Sequence, residues 1–175
     1  MNANRRAWII LIILLVGCGG STKTKTSLTP EEYRKLREFK PVGLYAGFNA
    51  EKGVYYIGNE LVERHILFDI DNEGISTVAF INKRAQSNYI TAPSDEFQFD
   101  IGSVRFSGHN GQLKYFSHDI TKLPGGIRQL NIVLQYKDSE GHALLNTHVK
   151  YEVYPNQAVI RKWLEFENLS DAAIV

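Results

Sequence analysis

The sequence predicts a mainly β protein, an antiparallel β-sandwich with one short N-terminal helix, on three observations. Apolar and polar residues alternate with period two through most of the chain after Gly43, turn-forming clusters punctuate those runs, and no second long stretch carries helical spacing. With 43% hydrophobic and 22% charged residues in 175, the composition suits a folded globular chain with one main domain.

The elements follow in chain order. Met1–Gly17 reads as a secretory signal: Arg5 and Arg6 supply the charged start, Ala7–Val16 (AWIILIILLV) the apolar run, and Gly17 a small residue before Cys18. Spanning a bilayer takes about 20 apolar residues, and this run is roughly half that, so a transmembrane anchor is not expected. Residues 18–28 form a tether, because Gly19–Ser27 (GGSTKTKTS) is small and polar with nothing apolar to bury. Residues 29–41 hold the helix. Thr29 is placed to cap it, Pro30 occupies its first position, Glu32 sits three residues after the cap, and Leu28 with Tyr33 can form a hydrophobic staple. That helix runs from Pro30 to Phe39 and ends before Pro41, with Tyr33, Leu36 and Phe39 as an apolar stripe fit to dock on the domain's flank.

Residues 42–175 make up the sandwich domain. Strands are expected at Val54–Ile57, Leu61–Ile70, Ile75–Ile81, Phe97–Ile101, Gln112–Ser117, Leu130–Tyr136, a run containing Val149–Val153, and Val159–Glu167. Asn72-Glu73-Gly74, Gly108-His109-Asn110-Gly111, Pro124-Gly125-Gly126 and Asp138-Ser139-Glu140-Gly141 separate them, the last as a hairpin turn. In Val149-Tyr151-Val153 against His148-Lys150-Glu152-Tyr154, and in Phe97-Phe99-Ile101 against Glu96-Gln98-Asp100, one set faces a core and the other water. In the last strand Ile160, Leu164 and Phe166 are assigned to the buried face, with Arg161, Trp163 and Glu165 opposite, where the arginine can lie over the ring or pair with the acid. The apolar run Ala172–Val175 reads as the start of a further strand, so the sandwich is expected to be truncated at its C-terminal end and to be the front piece of a longer protein.

Charge and chemistry narrow the function. A formal net charge of +1 gives no field to attract nucleic acid, so no nucleic-acid partner is expected. Losing Arg5 and Arg6 with the signal takes that charge to −1. A single cysteine excludes an internal disulfide and a multi-cysteine zinc site. His65, His109, His118, His142 and His148 lack the spacing of a helical metal site, and no nucleophile elbow, phosphate loop or dinucleotide fingerprint occurs; no metal, cofactor or catalytic residue is assigned. Glycosidases work with paired acids. Here Asp95, Glu96, Asp100, Glu165 and Glu167 read as the solvated faces of strands. Tyr151, Tyr154 and Trp163 offer flat faces that can stack on sugar rings, although aromatics in a sandwich are more often core.

Two resemblances add to this. Leu15-Val16-Gly17-Cys18 resembles the lipobox of bacterial lipoproteins, which implies cleavage before Cys18, lipidation of that cysteine and anchoring in the cell envelope on the periplasmic or extracellular side of a membrane. Each buried methylene adds about 0.8 kcal/mol, and two chains give stable attachment. The stretch Tyr151–Asn168 (YEVYPNQAVIRKWLEFEN) resembles the "YEVY…PVIRKW…EN" segment in the amino-terminal sandwich of melibiase-type α-galactosidases of glycoside hydrolase family thirty-six. Asn59–Arg64, Phe80–Arg84 and Ser94–Phe97 look like that domain's opening, so the likeness runs from Asn59 to Ser170, with Ala158 where the family usually has proline. The resemblance implies a supersandwich akin to galactose mutarotase-like folds, preceding a barrel that holds the catalytic aspartates and lies outside this chain.

Three functions stand open: the non-catalytic front domain of a membrane-anchored glycoside hydrolase that supports a C-terminal catalytic barrel, a freestanding carbohydrate-binding or assembly lipoprotein, and an enzyme acting within this chain through a His and a Glu in one cleft. Tyr154, Arg161 and Trp163 are the candidate carbohydrate-binding residues and Cys18 the lipidation site.

Overall fold

The structure is a computed structural model that describes residues 43–71 and 73–171. The signal, Cys18, the tether, the expected helix over 30–39 and the run 172–175 lie outside the described residues. Within them the chain is an antiparallel β-sandwich. Its first sheet has the order β1 (Tyr45–Asn49), β2 (Val54–Gly58), β3 (Val62–Asp69), β4 (Gly74–Asn82), β5 (Ser87–Asn88), with β6 (Ser94–Asp95) also on β4. A hairpin of β7 (Gln98–Ile101) and β8 (Val104–Ser107) follows. The second sheet is ordered β12 (Ile160–Asn168), β11 (Ala143–Val153), β10 (Arg128–Lys137), β9 (Lys114–Lys122).

The period-two runs became the strands that define the core. Leu130, Ile132 and Leu134 of β10 and Val149, Tyr151 and Val153 of β11 have no solvent exposure and meet Tyr55 and Ile57 of β2 and Ile66 of β3. Asp138-Ser139-Glu140-Gly141 turns β10 into β11, with Asp138 accepting from the backbone N–H groups of Glu140 and His142. Across the gap β1 lies by β10, β2 by β11 and β3 by β12. The sheets are therefore offset: β4 continues past β12 on one side and β9 past β1 on the other.

A bulge in β4 prepares the interior. His65 pairs with Ala79 and Ile66 with Thr77, leaving Val78 as the extra residue. Thr77 and Phe80, an odd number of residues apart, thereby both approach Arg64 of β3. Two glycines then bring the end of the hairpin onto β4. A Cβ on Gly108 would lie 2.5 Å from the Ile75 carbonyl oxygen, and one on Gly74 would lie 2.7 Å from that of Gly108. Their absence allows Ile75 N–H to donate to Gly108 at 2.6 Å, which carries the neighbouring Glu96 into the gap between the sheets.

Two expectations need correction. Glu96 does not join Gln98 and Asp100 on the solvated face; it is buried, because it precedes β7 and follows the close approach at Gly108. Phe166 is 53% exposed, since β12 is the outermost strand and only Phe99 meets its ring edge-on, at 4.8 Å. Lys162, alternating with Ile160 and Leu164, turns inward to Glu96. Ala158 sits exposed in the loop before β12.

Candidate functional site

The three candidate carbohydrate-binding residues converge. β11 and β12 pair with Glu152 opposite Arg161 and Lys150 opposite Trp163, and period two sends all four side chains to the solvent side of the second sheet. Tyr154, just past β11, donates its phenol proton to Glu152 at 2.5 Å. The Arg161 guanidinium stands 3.8 Å from the same carboxylate and 4.4 Å from the centre of the Trp163 ring. Trp163 Nε1 donates to Glu165 at 2.7 Å, and Lys150 reaches that carboxylate at 2.5 Å. The arginine thus lies over the aromatic ring as expected, and its acid is Glu152 across the strands, not Glu165 beside it.

Amides extend the patch. Gln129 donates to Glu152 at 2.9 Å, Gln135 to Asn146 at 3.0 Å, and Asn146 to Glu167 at 2.8 Å. Asn131 donates to Asp119 at 3.0 Å. Asn131, Gln135, Asn146 and Glu152 are themselves buried beneath this network, and the exposed polar groups of the face are those of Arg161, Glu165 and Glu167 around the half-buried Trp163 ring. The hydrogen bond to Glu152 holds the Tyr154 phenol above its ordinary pKa, and Lys150, then Trp163, hold Glu165 below the usual carboxylate range.

Next to this patch lies a polar hollow of about 310 Å³ bounded by Asn59, Glu60, Arg84 and Asn156, with Gly43, Leu44 and Leu61. Asn59 ties the two together: its amide donates to the carbonyls of Tyr154 (2.9 Å) and Gln157 (2.7 Å), while its oxygen accepts from the N–H groups of Leu61 and Val62. An apolar cavity of about 140 Å³ at the far end of the sandwich is lined by Ile101, Val104, Phe106, Tyr136 and Leu145.

Two buried acid clusters escaped the sequence reading. Glu96, with no side-chain exposure, accepts from Thr77 and Tyr151 and sits 3.0 Å from Arg64 and 3.5 Å from Lys162. Burial pushes its pKa up, but Arg64, Lys162 and the two hydroxyls outweigh that and leave it below the ordinary value. Burial drives the Tyr151 phenol well upward, and Lys162 downward despite its acid partner. On the other side of the first sheet Glu63 meets Tyr45, His65 and Lys83, the lysine at 2.8 Å. Burial again raises its pKa, and His65, Lys83 and Tyr45 together lower it further than burial raises it. The legible signal for the Glu96 cluster is a charged residue on an otherwise apolar parity, at Lys162 between Ile160 and Leu164 and at Arg64 between Val62 and Ile66.

A His and a Glu do meet, at His65 and Glu63, but their side chains are 3% and 2% exposed and line neither cavity. His118 is held by the Tyr115 (2.8 Å) and Tyr55 (3.1 Å) hydroxyls, and burial lowers its pKa. His142 sits in the β10–β11 turn and His148 beside Glu167. Among the described residues no three metal-ligating side chains cluster. No family model, curated protein or solved structure matches the chain. What stands is an antiparallel β-sandwich with a polar, aromatic-bearing outer sheet face.

Proposed function

We propose that this chain is the non-catalytic β-sandwich of a membrane-anchored, α-galactosidase-like glycoside hydrolase, and that the outer face of its second sheet meets carbohydrate. The observation that supports this reading is the gathering of Tyr154, Arg161 and Trp163 around Glu152. Sugars are bound by apolar ring faces against aromatic side chains together with fixed donors and acceptors for hydroxyls. This patch offers both, and it grows from the segment that resembles the glycosidase family. The missing barrel would supply the reaction; the sandwich would support it and present substrate. The polar hollow beside Asn59, near the lower size limit of ligand pockets, favours as the second reading a freestanding carbohydrate-binding lipoprotein.

Affinity electrophoresis through galactose-bearing polysaccharide tests the sugar contact. Retardation of the processed chain, lost in Trp163→Ala and kept in Arg105→Gln on the distant hairpin, is the expected result. Equal mobility with and without polysaccharide would defeat it. Anchoring is tested separately: Cys18→Ser should move the protein from the membrane to the soluble fraction, and a variant that still sediments with membranes would refute lipidation at that residue.

A further inference from the structure

The strand that carries half of this patch is also the outermost of its sheet. Among the described residues β12 has β11 as its one strand partner, so the backbone groups on its other side point away from the sheet. Its inner-parity residue Phe166 is 53% exposed, as expected on the outermost strand of the described sheet.

The sequence of β12 is charge-polar along its length: Arg161 and Lys162 stand near its start, Glu165 and Glu167 near its end. A strand of this kind complements itself when reversed. Opposite residues in an antiparallel pair share a face, so only registers that match odd numbers with odd numbers keep the inner side inner. With Leu164 on the two-fold axis, Arg161 faces Glu167 of the second copy; with Trp163 on the axis, Arg161 faces Glu165 and the two tryptophans meet. Either register places a cation against an anion twice.

We propose that β12 is a self-association edge, at which a second copy of this chain adds its own β12 antiparallel and fuses the two second sheets into one. Inward-facing lysines on an edge normally discourage such pairing because the new neighbour would bury them. Lys162 does not, since Glu96 already neutralises it inside the sandwich. The opposite edge of the same sheet supplies the contrast. β9 is bulged at Phe116, which puts Lys114 and Lys122 on opposite faces and breaks the regular period that a two-fold pairing needs. The observations thus select one edge and one occupant. The outer patches of the two copies would then lie side by side on one continuous face.

Sedimentation velocity of residues 18–175 carrying Cys18→Ser, produced without the signal and run over a concentration series, reads the association directly. The wild-type strand should give a reversible monomer–dimer equilibrium. Arg161→Glu should weaken it by about tenfold or more, because two attractive pairs become repulsive. Glu165→Arg with Glu167→Arg in one chain should weaken it equally. An equimolar mixture of these two variants should restore dimer, since each then offers the other its complement, and this recovery separates pairing from damage to the fold. A wild-type chain that stays monomeric throughout, or a mixture that fails to recover while both variants keep wild-type circular dichroism, would overturn the proposal.

Discussion

Glu96 and Glu165 each take a lysine from the second sheet, and the two pairs differ in a way that distance alone misorders. Lys150 approaches Glu165 to 2.5 Å, whereas Lys162 stops 3.5 Å from Glu96. Yet Glu165 is half exposed and Glu96 has no exposure at all. Water can replace either partner of the exposed pair, and salt screens it. Nothing replaces the partners of Glu96, which bridges β3, β4, β11 and β12 through Arg64, Thr77, Tyr151 and Lys162. One carboxylate holds the sheets together, while the other shapes a surface.

The largest effect should come from Glu96→Gln, which keeps the shape and strands two nearly buried cations without a counter-ion. A loss of about 3 kcal/mol in urea unfolding is expected, at the lower end for a broken buried pair because Arg64 and Lys162 retain some exposure. A loss below that of a surface pair would mean that Glu96 is not an anion in the folded protein. Acid is the next probe. Because the folded pKa of Glu96 lies below the unfolded value of about 4.3, its contribution is complete above that pH and drains away as the pH falls through the folded value. Stability measured downward from pH 6 should therefore fall more steeply in wild type than in Glu96→Gln, and parallel curves would contradict the assignment. The smallest effect belongs to Glu165→Gln, for which about 0.5 kcal/mol or less is expected, lessened further by salt. A larger, salt-insensitive loss would erase the contrast between the two carboxylates.

The comparison also marks how much could be read from sequence. Alternation at Leu130, Ile132 and Leu134 and at Val149, Tyr151 and Val153 announced the inner faces of β10 and β11, whereas Val133, Thr147 and the buried Glu152 depart from it, and the β10–β11 turn was legible from Asp138 and Gly141. β1 was not. It is five residues long and contains Gly47, which reads as a breaker, yet the missing Cβ leaves room for the Tyr56 ring of the next strand, whose hydroxyl would lie 2.2 Å from it. β5 and β6 are two residues each, too short for any period to register. β8 follows β7 after a two-residue turn at Gly102, and its four residues Val104–Ser107 alternate too briefly to stand out beside the longer runs. The outer patch was legible because Arg161 and Trp163 alternate on one strand. Glu96 was not, because its burial is decided by Arg64, Tyr151 and Lys162, which reach it from distant parts of the chain.

Asn59 carries a consequence for the order of assembly. Its side chain reaches the Tyr154 and Gln157 carbonyls across 95 and 98 residues of chain. As the chain emerges from its N-terminal end, the hairpins of β1 to β4 have local partners at hand before those carbonyls arrive. The gap between the sheets can close only after the turn beyond β11 has emerged, so the first sheet waits with its apolar side uncovered, and the slow step of folding is set by that late, long-range closure.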